Sequence, residues 1–180
     1  MDVRPSARSS RKWCALADAG ALPPVQRVVT GHDALGRAVI RSEDWSETQP
    51  IPSGDAAFLL LWTTGTVPAD NNDETEGRER PAGLTLHGGS VIRVVDMLPG
   101  CESPMHRSNS IDYGIVLTNE VELELDSGER RTVKAGGVIV QRGTNHRWRN
   151  RTQHPTRIVF VLIEAPAYRH DGKPLPEVMG

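Results

Sequence analysis

The chain is 180 residues long, enough for one domain with a hydrophobic core and too short for two of comfortable size. Its formal charge of −2 comes without a block of like charges or a Lys/Arg stripe able to follow a phosphate backbone, so no nucleic acid partner is expected. The longest apolar run, residues 56–62, falls far short of the roughly 18 residues that span a bilayer, and Met1-Asp2-Val3-Arg4-Pro5 opens no secretory leader. A soluble, cytoplasmic protein with no membrane contact is the expectation. Residues 1–24 begin with a stretch rich in Ser, Arg and Pro without apolar period and are expected to form a mobile arm. Cys14 and Cys101 stand far apart without a CxxC partner, which argues against both a disulfide framework and a thiolate metal site.

From residue 25 the pattern changes. Residues 25–29 and 38–40 are β-branched runs on either side of Gly31-His32-Asp33-Ala34-Leu35-Gly36, the pattern of a hairpin. Residues 57–64 form a short apolar run between Gly54 and Gly65 that suits a buried strand. Residues 68–81 are polar and lack a period, which predicts a long surface loop able to cover a pocket mouth. Residues 25–89 thus form N-terminal strands and a loop, added to a barrel or used as a dimer-forming arm. Beyond them, residues 91–97, 121–125, 132–133, 138–140 and 158–163 read as short strands separated by Pro99-Gly100, Asp126-Ser127-Gly128 and Gly136-Gly137. Many short strands at regular spacing predict an all-β sandwich or closed barrel over residues 90–165, with 166–180 as a C-terminal tail.

His106, Asp112 and His146 are the side chains whose types match the nitrogen and oxygen ligands of a divalent metal. In an extended chain His146, Trp148 and Asn150 share one face, while Arg147, Arg149 and Arg151 share the other. The first set suits a pocket wall; the arginines are expected on a solvated outer face. Trp148 and Tyr113 are expected in the core.

Gly100, five residues, His106, one residue, Ser108, three residues and Asp112 resemble the first motif of the cupin family. Gly143, two residues, His146, three residues and Asn150 resemble the end of its second motif. Ser108 stands where the family has a second histidine, Asp112 where it has Glu, Gln141 where it has Pro, and Asn119 where it has Gly. Asn tolerates the left-handed turn that glycine supplies there.

The resemblance implies a jelly-roll β-barrel, commonly a homodimer, with a small-molecule substrate in its mouth. It also implies a divalent metal (Fe, Mn or Zn) on His106, Asp112 and His146, with Gln141 and Tyr113 as orienting groups. The expected activity is a metal-dependent lyase, dehydratase or decarboxylase step on a small oxygenated organic molecule. The same ligand set suits a non-haem iron dioxygenase, and loss of the metal through Ser108 would leave a non-catalytic binding module.

Overall fold

Period-two alternation of β-branched and apolar residues with polar ones recurs along the chain, and among the described residues it forms strands. The computed structural model describes residues 22–178, and among these there is no helix, hence none long and apolar enough to cross a membrane. The expected arm of residues 1–24 falls largely outside the described residues, as does Cys14. The strands are β1 (Val25–His32), β2 (Ala38–Ser46), β3 (Gln49–Pro50), β4 (Ala56–Thr64), β5 (Ser90–Met97), β6 (Ser110–Val116) and β7 (Glu120–Leu125). They are followed by β8 (Arg130–Lys134), β9 (Val138–Arg142), β10 (His146–Arg149), β11 (Thr156–Glu164), β12 (Arg169–His170) and β13 (Lys173–Pro174).

A six-stranded antiparallel sheet, ordered β3-β4-β5-β11-β6-β9, packs against a three-stranded one, β10-β7-β8. The expected jelly-roll barrel is therefore open: the two sheets meet through side chains without a continuous hydrogen-bonded wall. Their inner faces supply one core, with Ala56, Val95, Met97, Val116, Ile139 and Ile158 from the large sheet and Val121 and Trp148 from the small one. Asn119 leads into β7 with φ 52°, the left-handed geometry its place in the sequence predicts, and its side-chain amide donates to the Pro155 carbonyl at 2.6 Å.

The β1–β2 hairpin lies against the rest of the molecule through Arg27, which pairs with Asp44 at 2.7 Å and Glu76 at 2.5 Å and sits 5.9 Å from the Trp62 ring centroid. Residues 68–81 lack regular structure, as expected, but do not close the cavity described below. Arg78–Asp44, Arg41–Glu74 and Arg27–Glu76 pairs hold them to the hairpin. On the outer face of the large sheet Asp96 and Arg157 are cross-strand partners on β5 and β11, joined at 2.7 Å by both Nε–Oδ1 and Nη2–Oδ2 bonds. Both are buried because the N-terminal segment covers them: Arg157 also donates to the Pro23 carbonyl at 2.7 Å, and Thr48 donates to Asp96 at 2.8 Å.

Candidate active site

A cavity of about 470 Å³ opens between the two sheets, within the range of small-molecule sites. Apolar side chains such as Phe58, Val95, Met97, Trp148, Phe160 and Leu162 make most of its wall; His106, Asp112 and His146 gather on one side, and Arg93 and Asp55 are among the polar groups elsewhere in the lining. Phe160 reaches the wall because Gly114, its cross-strand partner on β6, has no side chain; a Cβ there would lie 2.9 Å from the ring. The tail was not expected at the site, yet Val178 exchanges two backbone hydrogen bonds with Arg107, so that Glu177 and Val178 reach the cavity rim.

His146 begins β10, and alternation along that strand turns it and Trp148 inward. Residues 101–106 run beside β10, and His106 and His146 exchange backbone hydrogen bonds of 2.8 and 2.9 Å. The two imidazole centroids stand 4.3 Å apart. His106 Nδ1 lies 3.0 Å from the Pro104 carbonyl and His146 Nδ1 lies 2.9 Å from the Thr144 carbonyl. In the neutral rings this places the proton on Nδ1 and leaves Nε2 as a lone-pair acceptor. Burial, and next the neighbouring His106, push His146 down to about 4, so its ring is neutral at physiological pH.

Asp112 faces inward from β6 and is 5% exposed. Its Oδ1 accepts from the Ser110 hydroxyl at 2.6 Å, and Ser108 lies 2.8 Å from the same hydroxyl. Burial raises the Asp112 carboxyl to about 6, with the Ser110 hydrogen bond and the His106 charge pulling the other way. Ser108, at the family's histidine position, thus belongs to a hydroxyl chain ending on the carboxylate.

Among the described residues no three His, Cys, Asp or Glu side chains form a group able to hold a metal ion. The two imidazoles have the backbone-anchored Nδ1 typical of metal-ligating histidines, so they fit two of the expected ligand positions. The expected three-ligand set with Asp112 is not assembled. Gln141 is buried on β9 opposite Asp112, where its amide donates to the Thr144 hydroxyl and, at 3.2 Å, to the Thr144 carbonyl. It does not line the cavity; it holds the turn whose carbonyl holds the His146 ring. Tyr113, expected in the core and as an orienting group, follows Asp112 on the same strand and so points to the opposite face, 39% exposed.

The expected solvated arginine face also differs. Arg149 is buried beside Glu124, with Glu102 at 2.8 Å and Glu122 at 3.4 Å, and Arg147 pairs with Glu124 at 2.9 Å. The Arg147 hydrogen bond holds the Glu124 carboxyl down at about 2. Asn150 is buried just past β10 and closes a turn by donating to the Met97 and His154 carbonyls. His87 is exposed and pairs with Glu164, away from the cavity.

The shifted values of Asp112 and His146 have opposite consequences for stability. From pH 3.8 to 6 the native state keeps a proton on Asp112 that the unfolded chain has lost, so this contribution falls as pH rises. From pH 4 to 6.5 the unfolded chain carries a proton on His146 that the native state refuses, so that contribution rises with pH. Over their common window the two slopes oppose each other. Asp112→Asn leaves the His146 slope alone, and between pH 6.5 and 4 the variant is expected to lose on the order of 3 kcal/mol more stability than the parent. Urea unfolding at a series of pH values measures this, and parallel profiles for the two proteins would refute it.

Comparison with known proteins agrees with this architecture. A cupin domain model matches residues 93–162. The chain is 46% identical over 163 residues to Phomopsin biosynthesis cluster protein C' of Diaporthe leptostromiformis, covering 86% of each chain. It is 36% identical over 166 residues to the cupin-domain-containing oxidoreductase fogC of Aspergillus ruber, covering 88% of this chain and 82% of that protein. Among solved structures, the cupin domain of Schizosaccharomyces pombe Cnp3 superposes with a TM-score of 0.51 at 16% identity, over 77% of this chain and 87% of that one.

Proposed function

The chain belongs to the cupin family, and on that premise we propose that it is an enzyme acting on a small, mainly apolar, oxygenated organic molecule through a lyase or dehydratase step. The observation that carries this is a buried carboxyl, raised to about 6, in the wall of an apolar cavity that the neutral His146 ring also lines. A general base or acid works best when its own value lies near the operating pH, and burial has moved Asp112 toward it. Proton transfer is assigned to Asp112, whose buried carboxyl faces the cavity.

For a β-hydroxy carbonyl substrate, the Asp112 carboxylate takes the proton from the carbon next to the carbonyl. The carbon–oxygen bond of the β-hydroxyl then breaks, its electrons leave with oxygen, and Asp112 returns the same proton to release water. The Nε2 atom of His146, whose Nδ1 is held by the Thr144 carbonyl, accepts from the substrate hydroxyl and orients it. Gln141 acts as a positioning residue through Thr144.

A panel of acids that carry a β-hydroxy ketone at varied distance from the carboxylate, followed by mass spectrometry for loss of water, tests this. Turnover that disappears in Asp112→Asn is expected, and equal turnover in both proteins would overturn it. The naming of fogC as an oxidoreductase favours a second reading, oxidation of the same kind of molecule. Dioxygen consumption by iron-supplemented protein during the same screen would favour that chemistry. Tight ligand binding with no product in either assay would favour a binding module.

A further inference from the structure

Three arginines, Arg93, Arg149 and Arg157, are buried among the described residues, and two of them have an obvious reason to be charged. Arg157 is held by both oxygens of Asp96, and Arg149 by Glu124, Glu122 and Glu102. Arg93 differs. It is 9% exposed, on β5, and lines the cavity. Its Nη2 donates to the carbonyls of Gly83 and, at 2.9 Å, Leu84, and its Cζ lies 5.7 Å from the Phe58 ring centroid. Its Nε is buried without a hydrogen-bond partner among the described residues, and burial lowers the guanidinium with no carboxylate acting against it. Carbonyls satisfy hydrogen-bond donors but do not neutralise a buried positive charge; a carboxylate does both.

The strand register fixes where an anion on Arg93 would stand relative to the candidate catalytic group. Arg93 pairs with Phe160 on β11, and Phe160 pairs with Gly114 on β6, two residues from Asp112. Two strand spacings and two residues place the Arg93 and Asp112 Cα atoms roughly 12 Å apart on the same inner face. Between them lie Phe160 and Leu162, both apolar and both in the cavity wall. The other carboxylates of the cavity lie away from Arg93. Glu177 accepts from the Asn109 backbone near Asp112, and Asp55 precedes Ala56, whose partner Met97 is four positions along β5 from Arg93.

We propose that Arg93 receives a carboxylate on the ligand, so that the cavity takes an apolar carboxylic acid whose anionic end lies at β5 and whose reacting end lies at Asp112. This deepens the enzyme reading above and rests on it for the role of the second end. The guanidinium supplies the charge, Phe160 and Leu162 cover the chain, and the length of the cavity sets which carbon meets Asp112.

Three probes of equal length and different head group test the anion site without turnover: octanoate, 1-octanol and octylamine, titrated calorimetrically at pH 8. The parent is expected to bind octanoate at least tenfold more tightly than octanol and to bind octylamine least. Arg93→Gln is expected to bind octanoate and octanol equally, with octanol affinity kept within about twofold of the parent's. Asp112→Asn is expected to keep the parent's preference. Equal binding of octanoate and octanol by the parent, absence of octanoate binding, or an undiminished preference in Arg93→Gln would each overturn the proposal. If Arg93→Gln does not fold, Arg107→Gln, which removes the other arginine of the cavity wall, is expected to keep the parent's ranking of the three probes, and loss of the ranking there would overturn the proposal. A preference for octanoate in a protein that turns over none of the panel acids keeps the anion site and removes the enzyme reading. Turnover without that preference does the reverse.

Discussion

Asp96→Ala is expected to destabilise the protein by about 3–5 kcal/mol, the cost of leaving one member of a buried pair uncompensated. Arg157 has its carboxylate partner in a two-point clasp and, among the described residues, its other hydrogen bonds go to neutral groups: the Pro23 carbonyl through its side chain, and Leu117 and Thr118 through its backbone. With Asp96 gone, the guanidinium keeps its charge in a site closed off by the N-terminal segment. Arg157→Met should cost a similar amount because it strands Asp96 instead. The double variant Asp96→Ala/Arg157→Met should recover most of the loss, since a buried pair exchanged for apolar groups is close to neutral. Urea unfolding of the four proteins completes the cycle. Strict additivity of the two losses would show that the pair is not coupled. Limited proteolysis near residues 23–48 should accelerate in either single variant, because the clasp is what ties that segment to β5 and β11.

Asp112→Asn is expected to lower kcat by about 10²–10⁴-fold with KM little changed, the usual effect of removing a positioned general base. The amide keeps the size of the carboxyl and can still accept from Ser110 through its oxygen, so packing around β6 is preserved. In the parent, kcat/KM should fall tenfold per pH unit below about 6, where Asp112 takes up its proton and ceases to act as a base. The variant should show no such limb. A variant with a matching pH profile would move the proton transfer to another group. Gln141→Ala tests the supporting layer: kcat should fall less than in Asp112→Asn, since the amide reaches the substrate only by way of Thr144 and the His146 ring.

The strands were the most legible part of the sequence because a half-buried strand writes its period into four or five consecutive residues. β1, β4, β5, β7, β9 and β11 all fall where alternation or short apolar runs place them. The same parity rule carried His146 and Trp148 to the inner face. It also held the answer for Tyr113, which could not share the cavity with Asp112 one residue before it. Arg93 left a similar trace, a charged residue in phase with Val91, Val95 and Met97 on an otherwise apolar face of β5. Burial of Arg149 had no local signal, for its carboxylates come from Glu102 and from Glu122 and Glu124 on another strand. Nor did the return of residues 175–178 to the rim, which depends on backbone pairing with Arg107 across a long separation in sequence. The metal expectation rested on residue types and on the resemblance to the two cupin motifs; whether three such donors meet at one point depends on side-chain directions that neither fixes.

The bare backbone at Gly114 makes the size of the site adjustable from behind the candidate catalytic group. A methyl at that position would press on the Phe160 ring, which lines the space a ligand needs. Related chains could therefore divide a series of homologous acids among themselves by exchanging a single hydrogen for a methyl on β6, leaving Arg93, Asp112 and the two imidazoles untouched. Chain-length preference and chemistry would then evolve at separate addresses in the same sheet.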